Sequence, residues 1–118
     1  MALEQDLLEM ERALWSGGPE TYLAQTDETC LVVFATMAGV MARGDIAKSA
    51  EKGRWQDVKL APKGFIQPSP DVAVVAYDCT AKKKDGAPYH ALISSGYAKR
   101  ADGWKLVFHQ QTEVPQVS

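Results

Sequence analysis

Apolar positions follow a helical period at the start of the chain and a strand period over its second half. Leu3, Leu7, Met10 and Leu14 recur every three or four residues, with Leu8 and Trp15 widening the stripe. Glu4, Gln5, Asp6, Glu9, Glu11 and Arg12 are assigned to the opposite, solvent side. Early acids suit the positive end of a helix, and Gly17-Gly18 stops it. Pro19 fits the first turn of a short second helix through Tyr22, Leu23 and Ala24. Cys30 to Ala35 reads as an apolar strand, Thr36 to Gly39 as a turn, and Val40 to Ala42 as a short return. Gly44-Asp45 offers an N-cap for a two-turn helix over Ile46, Ala47 and Ala50, with Gly53 as its stop.

The remainder alternates. Trp55 to Leu60 is a strand, Ala61 to Gly64 a bulge or bend, and Phe65 to Gln67 its continuation. Pro68 to Asp71 turns into Val72 to Ala81, and Lys82 to Gly86 forms a hairpin tip. Tyr89 to Arg100 and Trp104 to Thr112 flank Asp102-Gly103, a strong hairpin signal. Strict alternation on the last strand puts Trp104, Leu106 and Phe108 on one face, running into Gln110 and Thr112. Lys105, Val107, His109 and Gln111 then point the other way, and the tail from Glu113 is expected to fray. Helices followed by antiparallel strands indicate one α+β domain over residues 1–118.

A sheet covered by helices on one side should be polar on the other. Here Val72, Val74 and Ala76 oppose Ala73, Val75, Tyr77 and Cys79, and Ala91 and Ile93 oppose Leu92 and Ala98. Two apolar faces need two covers, so a second copy of the chain is expected on the outer one; a strongly curled sheet covering itself is the alternative. The net charge of −2 gives no electrostatic case for nucleic acid or an anionic membrane. No apolar run reaches membrane-spanning length and the N-terminus lacks signal-peptide character. Cys30 and Cys79 read as buried free thiols of a cytoplasmic protein.

The wording of the second half resembles the nuclear transport factor 2-like superfamily, in its bacterial SnoaL-like branch. The residues that carry the resemblance are Arg54-Trp55, Pro70 to Tyr77, Pro88 to Leu92, Ser94-Ser95, Tyr97, and Asp102 to Val107 followed by His109 to Thr112. The resemblance implies a cone: a curved, mixed, mainly antiparallel sheet closed by N-terminal helices over a cavity of small-molecule size. It also implies frequent homodimers through the outer sheet face. It implies no single activity, because such folds serve isomerases, dehydratases, cyclases and non-catalytic association domains alike. Steroid isomerases of this kind carry an aspartate base where this chain has Ala35 to Gly39, without a carboxylate.

Two residues are candidates for proton transfer. His109 titrates near neutrality and is within strand reach of Ser95 or Tyr97; the favoured reading nevertheless puts it in the subunit seam. Asp78, in an apolar strand, acts as an acid if buried, or pairs with Lys82, Lys99 or Arg100 if exposed. Trp15, Phe34, Met41, Trp55 and Tyr77 are expected to line a cavity, together with Ser95, Tyr97, Trp104, Phe108 and Gln110. Tyr22 and Met37 extend that aromatic and sulfur-bearing set. Cysteine and serine catalysis lack their activating contexts. Two unpaired histidines make a poor metal site, and no cofactor fingerprint is present. The expected role is a homodimeric domain binding a small apolar molecule; the alternative is a lyase, isomerase or cyclase using His109 or Asp78.

Overall fold

A computed structural model describes residues 2–50 and 54–115. The chain runs through α1 (Leu3–Ser16), α2 (Pro19–Gln25), β1 (Thr26–Phe34), β2 (Met37–Ala42), α3 (Arg43–Ser49), β3 (Trp55–Ser69), β4 (Val72–Lys83), β5 (Pro88–Arg100) and β6 (Gly103–Glu113). The six strands form one open sheet in the order β2-β1-β6-β5-β4-β3. Every pairing is antiparallel except β1 with β6, which is parallel. The α+β class and the mixed, mainly antiparallel sheet match the sequence expectation. No described helix is long and apolar enough to cross a membrane.

Local chemistry explains most boundaries. The Gly17 amide donates to the Ala13 carbonyl at 2.8 Å and ends α1. A Cβ at Gly17 would stand 2.3 Å from the Thr21 hydroxyl, so the tight entry into α2 requires glycine. Pro19 opens α2 as expected. Three boundaries differ. β1 starts at Thr26 rather than Cys30, because its first residue pairs across to Leu106. β2 begins at Met37, leaving only Ala35 and Thr36 to turn. Ala42, not Gly44 or Asp45, precedes α3, and Asp45 lies inside its first turn; the proposed stop at Gly53 lies outside the described residues. Nor does the tail fray at Glu113: that residue pairs with Ala91, and the Val114 amide reaches the His90 carbonyl at 2.8 Å.

The sheet bends at its irregularities. In β3 the pairing shifts between Pro62 and Gly64, where the sequence signalled a bulge. A second bulge had no such signal. Tyr97 pairs with Leu106 but Gly96 pairs with Phe108, so Val107 is an extra residue in β6. Beyond it every side chain changes face. Leu106 faces inward with Tyr97, and past the bulge His109 and Gln111 do so too, opposite Ser95 and Ile93. Phe108, Gln110 and Thr112 therefore turn to the outer face, opposite Gly96, Ser94 and Leu92. The alternation read from sequence holds up to Leu106 and inverts after it.

The inner face is closed by α1. Leu7, Leu8, Leu14 and Trp15 are buried against Ala73, Val75, Tyr77, Cys79, Ala91 and Ile93. Fully burying a side chain of Leu size stabilises by about 1.5–3 kcal/mol. On the outer face one register row crosses all six strands: Val40, Leu31, Phe108, Gly96, Val74 and Ile66. Val40, Ile66 and Leu31 in that row are exposed.

Candidate functional site

Glu11 has no exposed surface, although it was assigned to the solvent side of α1. On a helix, position 11 lies one turn from Leu7, Leu8, Leu14 and Trp15, at the centre of the buried stripe. Its carboxylate meets three hydroxyls projecting from the inner sheet face. Tyr77 donates to Oε1 at 2.5 Å and Ser95 to the same oxygen at 2.9 Å, while Tyr97 donates to Oε2. Trp15 Nε1 in turn donates to the Tyr77 hydroxyl at 2.9 Å. A carboxylate stripped of water is costly unless hydrogen-bonded, and three hydroxyl donors supply that compensation.

The network continues to His109. The Ser95 hydroxyl lies 2.8 Å from His109 Nδ1, and Glu11 Oε1 is 3.9 Å from the same nitrogen. Because Ser95 donates its proton to Glu11, its oxygen accepts from Nδ1–H, which leaves the lone pair on Nε2. Gln111 Nε2 sits 3.0 Å from that atom, and its own carbonyl oxygen accepts from the Tyr89 hydroxyl at 2.9 Å. One directional chain thus runs from Tyr89 through Gln111, His109 and Ser95 to Glu11. Burial holds the His109 pKa below the usual imidazole value, partly offset by the Glu11 charge. The ring is therefore neutral near pH 7, as this tautomer requires.

The same burial, reinforced by the Glu11 charge, raises neighbouring acids. Tyr22 is pushed up to about 12, and Tyr77 and Tyr97 rise as well. Cys30 is raised to about 12 by burial, then by Glu11 and Asp27. Cys79 is raised to about 12 by burial, then by Asp78 and Glu11. Both thiols are buried, free and protonated.

Above this polar floor opens a cavity of about 440 Å³, between the sheet, α1, α2 and α3. Its wall includes Leu14, Trp15, Cys30, Val32, Met41 and Leu106. An aromatic cluster forms one side: Trp15 and Trp55 centroids are 5.1 Å apart edge-on, and Trp55 and Tyr89 are 4.6 Å apart. Phe34 faces His109 at 6.2 Å. His109 and Gln111 are polar groups of the wall, as are Thr36 and Ser49.

The sequence-predicted residues divide into three groups. Trp15, Phe34, Met41, Trp55 and Tyr22 line the cavity, as does His109. Tyr77, Ser95 and Tyr97 lie behind it, fully buried, and hold Glu11 instead of contacting the open space. Trp104 packs half-buried against the α1-side core, Met37 is exposed, and Phe108 and Gln110 are on the outer face. There Gln110 accepts from Ser94 at 2.7 Å and donates to Thr112. Asp78 is also outside the cavity. On the outer face its Oδ2 lies 2.7 Å from His90 Nε2, a partner other than the three cations expected. His109 is correspondingly absent from the outer face, where the seam was placed. Sequence reasoning missed Glu11, Tyr89 and Gln111; for Glu11 the helical position itself was the available signal.

No cluster of three or more potential metal ligands occurs among the described residues. The sequence matches no family model and no curated protein. Solved structures do match. A ketosteroid isomerase-like protein from Erwinia carotovora aligns with TM-score 0.75 at 17% identity, covering 97% of this chain and 95% of that one. An NTF2-like protein of unknown function from Prochlorococcus aligns with TM-score 0.76 at 12% identity, covering 99% and 97%. The association domain of CaMKII from C. elegans aligns with TM-score 0.68 at 16% identity, covering 92% and 93%. At these identities the likeness is one of fold.

Proposed function

We propose that this chain, which has the nuclear transport factor 2-like fold, is a homodimeric domain that binds a small, largely apolar molecule. The observation that carries the reading is the cavity: about 440 Å³, walled largely by aliphatic and aromatic side chains, with His109 and Gln111 among its polar groups. The Gln111 amide donates one N–H to His109 Nε2 and has a second N–H to offer a ligand. The buried network behind them holds the imidazole in one tautomer and orientation. The dimer is supported by the apolar row from Val40 to Ile66, which α1 does not cover. Two buried, unpaired thiols suit the reducing cytoplasm.

Native mass spectrometry of the purified protein tests both parts. A dimer mass carrying a non-covalent adduct, lost in a variant that fills the cavity (Val32→Trp), is the expected result. An adduct-free monomer whose Trp15 and Trp55 fluorescence responds to no apolar compound would sink the reading.

A catalytic reading, as a lyase, isomerase or cyclase, is favoured by one feature. His109 is a neutral imidazole at the wall of a cavity, with its unprotonated nitrogen turned away from Glu11 and held by the Gln111 amide. A substrate that displaces the Gln111 amide from Nε2 gives its proton to that nitrogen, while Ser95 and Glu11 steady the resulting charge. Asp78 has no part in it, being on the other face of the sheet.

A further inference from the structure

Among the described residues, the charged side chains that line the cavity are both cations. Arg54 and Lys83 both line it and are both exposed, so they stand where it opens to solvent. Among the described residues no Asp or Glu belongs to the lining. Among the described residues neither cation has a carboxylate within ion-pair distance. Each is set against a ring instead: Arg54 Cζ is 5.6 Å from the Trp55 centroid, and Lys83 Nζ is 5.9 Å from that of Tyr89. Those two rings touch, and the β3–β4 register puts Trp55 directly opposite Lys83. Two cations thus flank one aromatic wall at the mouth. The deep end has the reverse sign, because Glu11 lies 3.9 Å behind His109. An anion pushed down to His109 would meet that carboxylate's field, whereas an anion left at the mouth meets two cations.

We propose that the ligand is an amphipathic anion: a flat apolar body carrying one carboxylate. The carboxylate lies between Arg54 and Lys83, the body stacks on Trp55 and Tyr89, and an uncharged end points to His109 and Gln111. Arg54 contributes a planar fork of donors that matches carboxylate geometry, and Lys83 a point charge. This inference rests on the binding reading above and adds the ligand's charge and its orientation.

Calorimetric titration of the full chain with 2-naphthoate and with its uncharged counterpart, 2-naphthalenemethanol, tests it. The acid is expected to bind at least about tenfold more tightly than the alcohol at low salt, and added salt should narrow that gap. The double variant R54Q/K83Q is expected to lose the preference while binding the alcohol within about twofold of the parent chain. Retained alcohol binding also shows that the variant is folded with its cavity intact. Lys83→Glu, a single change at an exposed strand end, should weaken the acid more than the alcohol. Equal affinity of the parent chain for both compounds overturns the anion proposal and leaves the cavity reading standing. An undiminished preference for the acid in R54Q/K83Q overturns it as well, since the acid then sits elsewhere. Binding of neither compound by the parent chain removes both readings.

Discussion

On β4, Ala73, Val75, Tyr77, Cys79 and Ala81 are buried, while Val72, Val74 and Ala76 on the same strand are exposed or half-buried. The two sets are similarly apolar, and their surroundings differ because α1 lies across only one of them. The inner face carries what the outer lacks: a buried carboxylate, the hydroxyls that satisfy it and a cavity beside them. The outer face carries a continuous apolar row and, towards one edge, the Asp78–His90 pair in contact with solvent. Hydrophobic pattern alone says that a face wants covering. What covers it decides whether the result is a site or an interface.

The sharpest way to break the contrast is at Glu11. Glu11→Ala orphans the Tyr77, Tyr97 and Ser95 hydroxyls in a closed interior, each at about 1–3 kcal/mol before water enters. Urea unfolding should show a loss of about 3–5 kcal/mol. A loss below about 1 kcal/mol would mean that the inner network does not distinguish this face energetically. Deleting Val107 comes next. Without the extra residue, β6 cannot keep Leu106 and His109 on one face, so either an apolar residue or the imidazole turns outward. Thermal melting should report a cost of at least about 2 kcal/mol, and ligand binding should disappear with it.

The outer face is probed by Leu31→Lys, an exposed position of the apolar row next to Val40. Sedimentation should show the dimer dissociation constant raised by at least about tenfold, with monomer stability changed by no more than about 0.5 kcal/mol. Unaltered sedimentation would argue that the row is not an interface. The smallest effect is a pH slope. His109 has a folded pKa below its unfolded value, so the unfolded chain binds more protons at mildly acidic pH. Its contribution is complete above about pH 6.5 and is lost progressively as pH falls below that. Unfolding free energies measured from pH 8 down to pH 5 should fall less steeply in His109→Asn; parallel curves would place the imidazole in water.

Much of this architecture was legible along the chain because it rests on local chemistry. The Leu3-to-Trp15 stripe specified α1, Gly17 its end and Pro19 the next start, and Asp102-Gly103 set the last hairpin. The β3 bulge was readable since Pro62 and Gly64 mark it. Cavity residues on regular elements, Trp15, Phe34, Met41 and Trp55, were anticipated from their type together with the cavity that the family resemblance implies.

The Val107 bulge had no comparable marker. Phe108 sits across Gly96, where a Cβ would stand 3.3 Å from that of Phe108, so the bulge accommodates a contact between residues 12 positions apart. That single inserted residue carried His109 and Gln111 from the expected seam to the cavity. Glu11 shows the same division. Its helical position was fixed by spacing, but its burial depended on hydroxyls from Tyr77, Ser95 and Tyr97, at least 66 residues away. By itself the sequence determined the elements, their order and which strands were apolar on both sides, because propensity, period and turn chemistry act over a few residues. Only the tertiary structure decided which polar groups share the interior. A buried charge is tolerated only where partners from distant strands converge on it, and no local pattern records that convergence.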